Sequence, residues 1–240
     1  MIGIVVPVHN EEAHLEACLH ALREASLHPA LDGEPVTIVA VLDACGDGSA
    51  QIVERHLGPW LACLTIDARN VGVARHAGAE YLLAARARWL AFTDADSRVA
   101  PDWLVAQLNE RADAVCGLVT VDDWSHHPSS VARRFAAHYQ RRRDHRHVHG
   151  ANFGLTADAY VKAGGFPAIA TSEDVALVER LQAIDAHIAW SAAPEVVTSS
   201  RATSRCRGGF ADFLCRLRGE AADAVPVVSG LLDESPDLRP

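Results

Sequence analysis

The first 121 residues alternate short, continuously apolar runs with longer amphipathic ones, and this alternation constrains the fold more than any other feature of the chain. Residues 2–8, 36–42, 62–67, 89–93 and 115–121 read as strands; residues 11–25, 49–57, 71–87 and 101–110 read as the helices between them. Leu15, Cys18, Leu19 and Leu22 fall at helical spacing. The opening run Ile2–Val8 has no polar alternation, as expected of a strand with both faces covered by helices. The rhythm is that of βα units building a mostly parallel sheet, an α/β fold.

From residue 122 to 150 the composition turns to His, Arg and Ser, with an exposed amphipathic helix expected over 129–143. A strand at 152–155, a helix at 157–163, a Gly164-Gly165-Phe166-Pro167 turn and a helix at 174–184 follow. Short strands are expected at 188–190 and 196–198, a last helix at 210–217, and a loose tail over 229–240. With no internal repeat and no dividing linker, residues 1–228 form one expected domain, with a regular βα half at 1–121 and a less regular half at 122–228.

Composition narrows the function. At 240 residues, 49% hydrophobic and 22% charged, the chain can bury a sizeable core, and no apolar run approaches the roughly 20 residues of a membrane span. Six cysteines without a Cys-x-x-Cys pair disfavour zinc ribbons, redox motifs and disulfide scaffolds, and no secretory signal precedes the first strand; a cytoplasmic location is expected. A net charge of -9 argues against general nucleic-acid binding. Lys162 is the only lysine; coding bias explains most of that, although guanidiniums also suit bidentate phosphate contacts.

Ligands of open α/β sheets bind outside the carboxyl ends of the strands, so the residues there are the candidates. The first strand runs into Pro7-Val8-His9-Asn10-Glu11-Glu12, without the glycines that a dinucleotide fold or a P-loop needs. Asp43 ends the second strand and could accept hydrogen bonds from a base or ribose, while Asp47-Gly48-Ser49 reads as a turn and helix cap. Asn70 and Gly72 open the next helix, and Arg75 faces back toward the strand tips, to bind a diphosphate or to neutralise Asp43. The fourth strand ends in Asp94-Ala95-Asp96, either a solvated turn or two carboxylates for a hard divalent cation. Glu173 and Asp174 open a late helix, as an acidic cap or as a general base.

In this order and spacing, Pro7-x-His9-Asn10-Glu11-Glu12, Asp43 with Asp47-Gly48-Ser49, Asn70-x-Gly72 with Arg75, Asp94-x-Asp96, Gly150-Ala151-Asn152, Gly164-Gly165-Phe166 and Glu173-Asp174 resemble the family 2 glycosyltransferases of the GT-A fold over about residues 1–200. The resemblance implies a Rossmann-like central sheet and an inverting transfer of one sugar from a nucleotide-sugar donor to an acceptor hydroxyl. It implies Mn²⁺ or Mg²⁺ as cofactor, held by Asp96 and Asp94. Pro7, His9, Glu11, Asp43, Asn70, Arg75, Asp94 and Ala95 then belong to the donor site, and Asp174, with Glu173 beside it, to catalysis. Gly150, Ala151, Asn152, Gly165 and Phe166 shape the sugar and acceptor pocket. Arg201, with Arg205 and Arg207, lies where a loop could close over the diphosphate.

Some features depart from the family. There is no Gln-x-x-Arg-Trp motif of processive synthases, which favours single addition, and Pro167 follows Gly165-Phe166 in place of the usual acid. The partners implied are a nucleotide-sugar and an acceptor that is a saccharide, a small molecule or lipid-linked, with peripheral contact at the inner face of a membrane as one setting. The stretch Arg133, Arg134, Arg141, Arg142, Arg143, His145, Arg146, His147 and His149 reads as a solvated helix face or an acidic-acceptor site; its alternate histidines suggest at most adventitious metal binding. The rival readings are a nucleotidyltransferase on a related fold and a non-catalytic nucleotide-binding partner.

Overall fold

The computed structural model describes residues 1–139 and 141–201, together with Phe210, Phe213, Leu214 and Leu217. The expected helix at 210–217 is described only at those four positions; Arg205, Arg207 and the tail at 229–240 lie outside the described residues.

Strand β1 (Ile2–Val8) pairs in parallel with β2 (Val36–Asp43) on one side and with β4 (Trp89–Phe92) on the other. β3 (Leu61–Ile66) adds to β2, again parallel. The apolar run of β1 is explained by what covers it. Ile4 and Val6 pack with Leu15, Leu19 and Leu22 of α1 (Leu15–Ser26) on one face. Val5 packs with Ala74 and Leu82 of α3 (Val71–Ala84) on the other. Each fully buried aliphatic side chain of this kind contributes about 1.5–3 kcal/mol, so the central strand cannot slip without a large loss.

The sheet has eight strands in the order β3-β2-β1-β4-β7-β6-β8-β5. Between β4 and β6 (Ala114–Thr120) the parallel succession is interrupted by β7 (Phe153–Thr156), antiparallel to both. β8 (Ile188–Thr198) runs parallel to β6, and the three-residue β5 (Ser97–Val99) closes the edge, antiparallel to β8. On the periphery lie α2 (Ser49–His56), α4 (Trp103–Asn109), α5 (Ser129–His138), α6 (Ala157–Lys162) and α7 (Glu173–Ala183).

Four expectations change. Helix α1 begins at Leu15 rather than 11, because the Glu11 amide donates to Ser49 Oγ at 2.8 Å and the Glu12 amide to Asp47 Oδ2 at 3.0 Å. Those bonds hold the preceding residues in a loop. The two late strands are one eleven-residue strand, since a register shift between Cys116 and Leu118 keeps β8 in its ladder through Ser191-Ala192-Ala193-Pro194. β5 follows directly on Asp94-Ala95-Asp96 and was not expected, three residues being too few for a periodic signal. Finally, α5 ends at His138, not at 143.

The basic stretch is therefore not one helical face. Arg143 pairs with Glu110 at 2.9 Å, Arg141 with Glu195 at 3.2 Å, and the Arg146 guanidinium lies 5.1 Å from the Trp190 ring centroid. His145, His147 and His149 stack ring on ring, with centroids 5.6 and 6.1 Å apart, and no metal-ligand cluster among the described residues includes them. Tyr139 Oη accepts from the Val119 amide at 2.9 Å and lies within hydrogen-bond distance of His149 Nε2, at 2.8 Å. Burial pushes His147 down to about 4 and His149 down to about 3.

Both values lie below the ordinary 6.5, so the unfolded chain binds more protons than the folded one from pH 6.5 down to about 4 for His147 and about 3 for His149. Stability is expected to be fully present above pH 6.5 and to fall as the pH drops through that window. In urea unfolding from pH 8 to 4, His147→Gln/His149→Gln should flatten the acid limb; an unchanged slope would show that the histidines are not its source.

Candidate functional site

β2, β1 and β4 are parallel neighbours, so their carboxyl ends lie along one edge of the sheet, and the loops leaving that edge carry most of the expected site residues. Asp43, at the tip of β2, is 4% exposed. Its Oδ1 accepts from the amides of Ala68 (2.7 Å) and Arg69 (2.8 Å), and its Oδ2 from the amide of Asn70 (2.8 Å). Three charge-assisted bonds compensate a carboxylate at a buried strand end and fix the loop into α3. Asn70 then caps that helix, its Oδ1 accepting from the Val73 amide at 3.1 Å. His9 Nδ1 lies 2.6 Å from the Asp43 carbonyl oxygen; a carbonyl only accepts, so the proton sits on Nδ1. Pro7, half-buried, precedes it on β1.

The loops after β1 and β2 are tied by side chains, where a dinucleotide fold would use glycine backbone. Asn10 Oδ1 accepts from the Gly46 amide and Glu12 Oε2 from the Gly48 amide, both at 2.7 Å. Asp47 Oδ1 accepts from the Ser49 amide at 3.0 Å, which is the expected turn; Ser49 itself is the first residue of α2, and its hydroxyl serves the Glu11 amide.

Arg75, one turn into α3 and 3% exposed, is the centre of the site. It does not pair with Asp43. One guanidinium nitrogen donates to Asp94 Oδ1 at 2.6 Å and another to Glu173 Oε1, while Nε has no partner among the described residues. The guanidinium carbon lies 5.7 Å from the Phe166 ring centroid, and Gly150 covers the group so closely that a Cβ there would collide with it. Phe166 is held among Phe92, Phe153 and Tyr160, with ring centroids 4.9, 6.4 and 6.1 Å away. Gly165 before it has φ +66°, in the left-handed region that favours glycine.

A second arginine mirrors the first. Arg201 bridges Asp96 Oδ2 and Glu11 Oε1, the latter at 2.8 Å. Each carboxylate of Asp94-Ala95-Asp96 is thus held by its own guanidinium. Burial works against the Arg201 charge, yet Asp96 and Glu11 outweigh it and hold the group above its ordinary value. Burial pushes the Asp94 carboxyl up, helped by Asp96 and Asp174 and opposed by Arg75. Ala95, between the two acids, is packed into the core at 2% exposure. Asp174 Oδ2 accepts from the Gly150 amide at 2.7 Å and Oδ1 from the Val175 amide at 2.8 Å, so each oxygen keeps a further lone pair.

The structure brings together Glu11, Arg75, Asp94, Asp96, Gly150, Phe166, Glu173, Asp174 and Arg201. Asn152 is different: its Nδ2 donates to the carbonyls of Leu118 and Pro194, its Oδ1 accepts from Trp103 Nε1, and it is fully buried. That side chain ties β6 to β8, and only its backbone neighbours Ala151 and Gly150 reach toward the site. The partnership of Arg201 with Glu11 was missed. The two are 190 residues apart and carry no local signal.

Five carboxylates (Glu11, Asp94, Asp96, Glu173 and Asp174) meet two guanidiniums, so the cleft keeps an excess of negative charge. Among the described residues no third ligand converges on Asp94 and Asp96. Carboxylate oxygens are hard donors, which fit Mg²⁺ or Mn²⁺ better than a softer ion.

The model of the family described as Glycosyl transferase family 2 matches residues 3–163. Succinoglycan biosynthesis protein ExoO of Rhizobium meliloti (strain 1021) is 37% identical over 95 residues, which are 39% of this chain and 26% of that protein; the match spans about a quarter of the relative's length. The crystal structure of S. aureus TarS 1-349 in complex with UDP-GlcNAc superposes with a TM-score of 0.61 at 16% identity, covering 93% of this chain and 67% of that one. Mannosyltransferase PcManGT from Pyrobaculum calidifontis, in complex with GDP-Man and Mn²⁺, superposes with a TM-score of 0.64 at 17% identity, covering 83% and 57%. At these identities the likeness establishes the GT-A fold.

Breaking a buried ion pair from one side leaves a charge without compensation. Arg75→Met is expected to cost about 3 kcal/mol in urea unfolding, and Glu173→Gln in the same chain to recover part of it. Strict additivity of the two substitutions would dismiss the pairing as a structural element.

Proposed function

The chain belongs to glycosyl transferase family 2, and on that premise we propose that it moves one sugar from a nucleoside-diphosphate donor to an acceptor hydroxyl, with inversion at the anomeric carbon and with a divalent cation. The observation that carries this reading is the acidic cleft at the strand tips, where Asp94 and Asp96 stand beside Asp174 and two arginines.

Asp43, Asn70, Pro7 and His9 form the nucleoside side, Asp43 acting through the loop whose amides it holds. Asp94 and Asp96 would hold Mn²⁺ or Mg²⁺, which when bound supplies charge to offset the leaving diphosphate. Glu11 and Arg201 border the same space, and the Arg201 guanidinium is placed to exchange its carboxylate partners for a phosphate.

Asp174 is the base. The Gly150 and Val175 amides fix its orientation, and its free lone pairs can take the acceptor proton as that oxygen attacks. Attack from the face opposite the diphosphate inverts the anomeric carbon. Glu173 is a positioning residue: it holds Arg75, and Arg75 holds Asp94. Gly150, Ala151, Gly165 and Phe166 border the acceptor pocket, whose ligand is a saccharide, a small molecule or a lipid-linked hydroxyl. No helix among the described residues is long and apolar enough to cross a membrane. The proposed setting is the cytoplasm, at the inner face of a membrane if the acceptor is lipid-linked.

Calorimetry with UDP and GDP, each with and without Mn²⁺, tests the donor side. One nucleotide should bind more tightly with the metal, and Asp96→Ala should remove the difference; metal-independent binding in both proteins would sink the cation assignment. Asp174→Asn should keep donor affinity and lower turnover about 10³-fold, whereas near-normal turnover would remove Asp174 as base.

A further inference from the structure

A second set of ligand-type side chains lies between α1 and α2. Glu16 and His20 are one helical turn apart on α1, so they share a face. His56, the last residue of α2, reaches the same point from the neighbouring helix. The carboxylate oxygen and the two imidazole nitrogens all lie within 4.8 Å of one another. His56 Nε2 is 2.6 Å and His20 Nε2 3.4 Å from Glu16 Oε1.

We propose that Glu16, His20 and His56 form a binding site for a zinc-class transition-metal ion, separate from the donor site. Two imidazoles and a carboxylate are the ligand set of a three-residue zinc site whose fourth position is left to water. The same set disfavours Mg²⁺ and Mn²⁺, which prefer oxygen.

The geometry is close to what such an ion needs. With bonds of about 2.0–2.1 Å, a tetrahedral ion separates its ligand atoms by about 3.3 Å. The His20 distance already matches this. The His56 distance must widen, and its proton must move from Nε2 to Nδ1. His56 is 22% exposed and His20 69%, so both rings can adjust in solvent. Arg55 donates to Glu16 Oε2 at 3.0 Å and would orient the carboxylate from behind, as outer partners of metal ligands do. Its positive charge opposes the ion, but it is 60% exposed and screened by water.

Such an ion would join the two helices whose leading loops are already tied to each other. The Glu11 and Glu12 amides reach Ser49 and Asp47, and the Gly46 and Gly48 amides reach Asn10 and Glu12. It would act as a clamp behind the donor side of the sheet.

Co²⁺ is the probe, because tetrahedral nitrogen ligation gives intense visible bands and an octahedral all-oxygen site does not. The full chain at concentrations on the order of 10 μM should take up a single equivalent with those bands. Asp96→Ala should leave the bands intact, while His20→Ala and His56→Ala should each abolish them. Zn²⁺ should displace the Co²⁺ and raise Tm in the wild type and in Asp96→Ala but not in the histidine variants. Three results would overturn the proposal: no visible bands, bands that survive both histidine substitutions, or bands lost on His147→Gln/His149→Gln instead. None of these readouts depends on glycosyl transfer.

Discussion

The site depends on one buried guanidinium. Arg75 leaves α3 and meets, within its own reach, the tip of β4 through Asp94, the start of α7 through Glu173, the glycine loop at 150 and the ring of Phe166. Taking an arginine out of water is costly, and an ion pair in that setting returns little net stability. It returns placement. The Gly150–Asp174 hydrogen bond and the Phe92–Phe166 contact each join two of these segments, but Arg75 is the one side chain that touches all four. Methionine or leucine could fill the space without supplying directions for Asp94 and Glu173.

The acids on either side of Ala95 show how charge is managed around that centre. Asp94 and Asp96 flank a single residue, and their mutual repulsion is divided between two arginines that come from different halves of the chain. Arg75 is nearly sealed from solvent, whereas Arg201 is a quarter exposed. The first is built into the fold; the second is on a border where partners can be exchanged. The acids run the other way, Asp94 being more exposed than Asp96.

Much of this was legible from residue order. The strands β1, β2, β4 and β6 announce themselves because both of their faces are buried, and buried faces leave continuous apolar runs. The candidate acids were legible because strand tips are where such runs stop. What stayed hidden depends on distance along the chain. β5 exists only because β8 pairs with it, α1 starts late only because Asp47 and Ser49 capture the Glu11 and Glu12 amides, and Arg201 finds Glu11 across nearly the whole sequence. Asp43 was read as an acid for a base or ribose, with Arg75 as one way to neutralise it; Arg75 pairs elsewhere, and the carboxylate is compensated by backbone N–H, which no composition displays.

The reversed strand in the middle of the sheet has a geometric consequence. β4 ends where β7 begins, at Phe92 beside Phe153, so the segment that precedes β7 emerges on the same rim as the segment that follows β4. A parallel β7 would deliver Gly150 to the far rim, a full strand length from Asp94. The four paired residues from Trp89–Thr156 to Phe92–Phe153 thus serve as a ruler between the two halves of the cleft. Its graduation is about 3.4 Å per residue, and only two-residue steps preserve which face is buried. The spacing between the strand-tip acids and the loop that orients Asp174 can therefore change only in jumps near 7 Å, too coarse for gradual adjustment. Fine tuning is left to the side chains that line the gap.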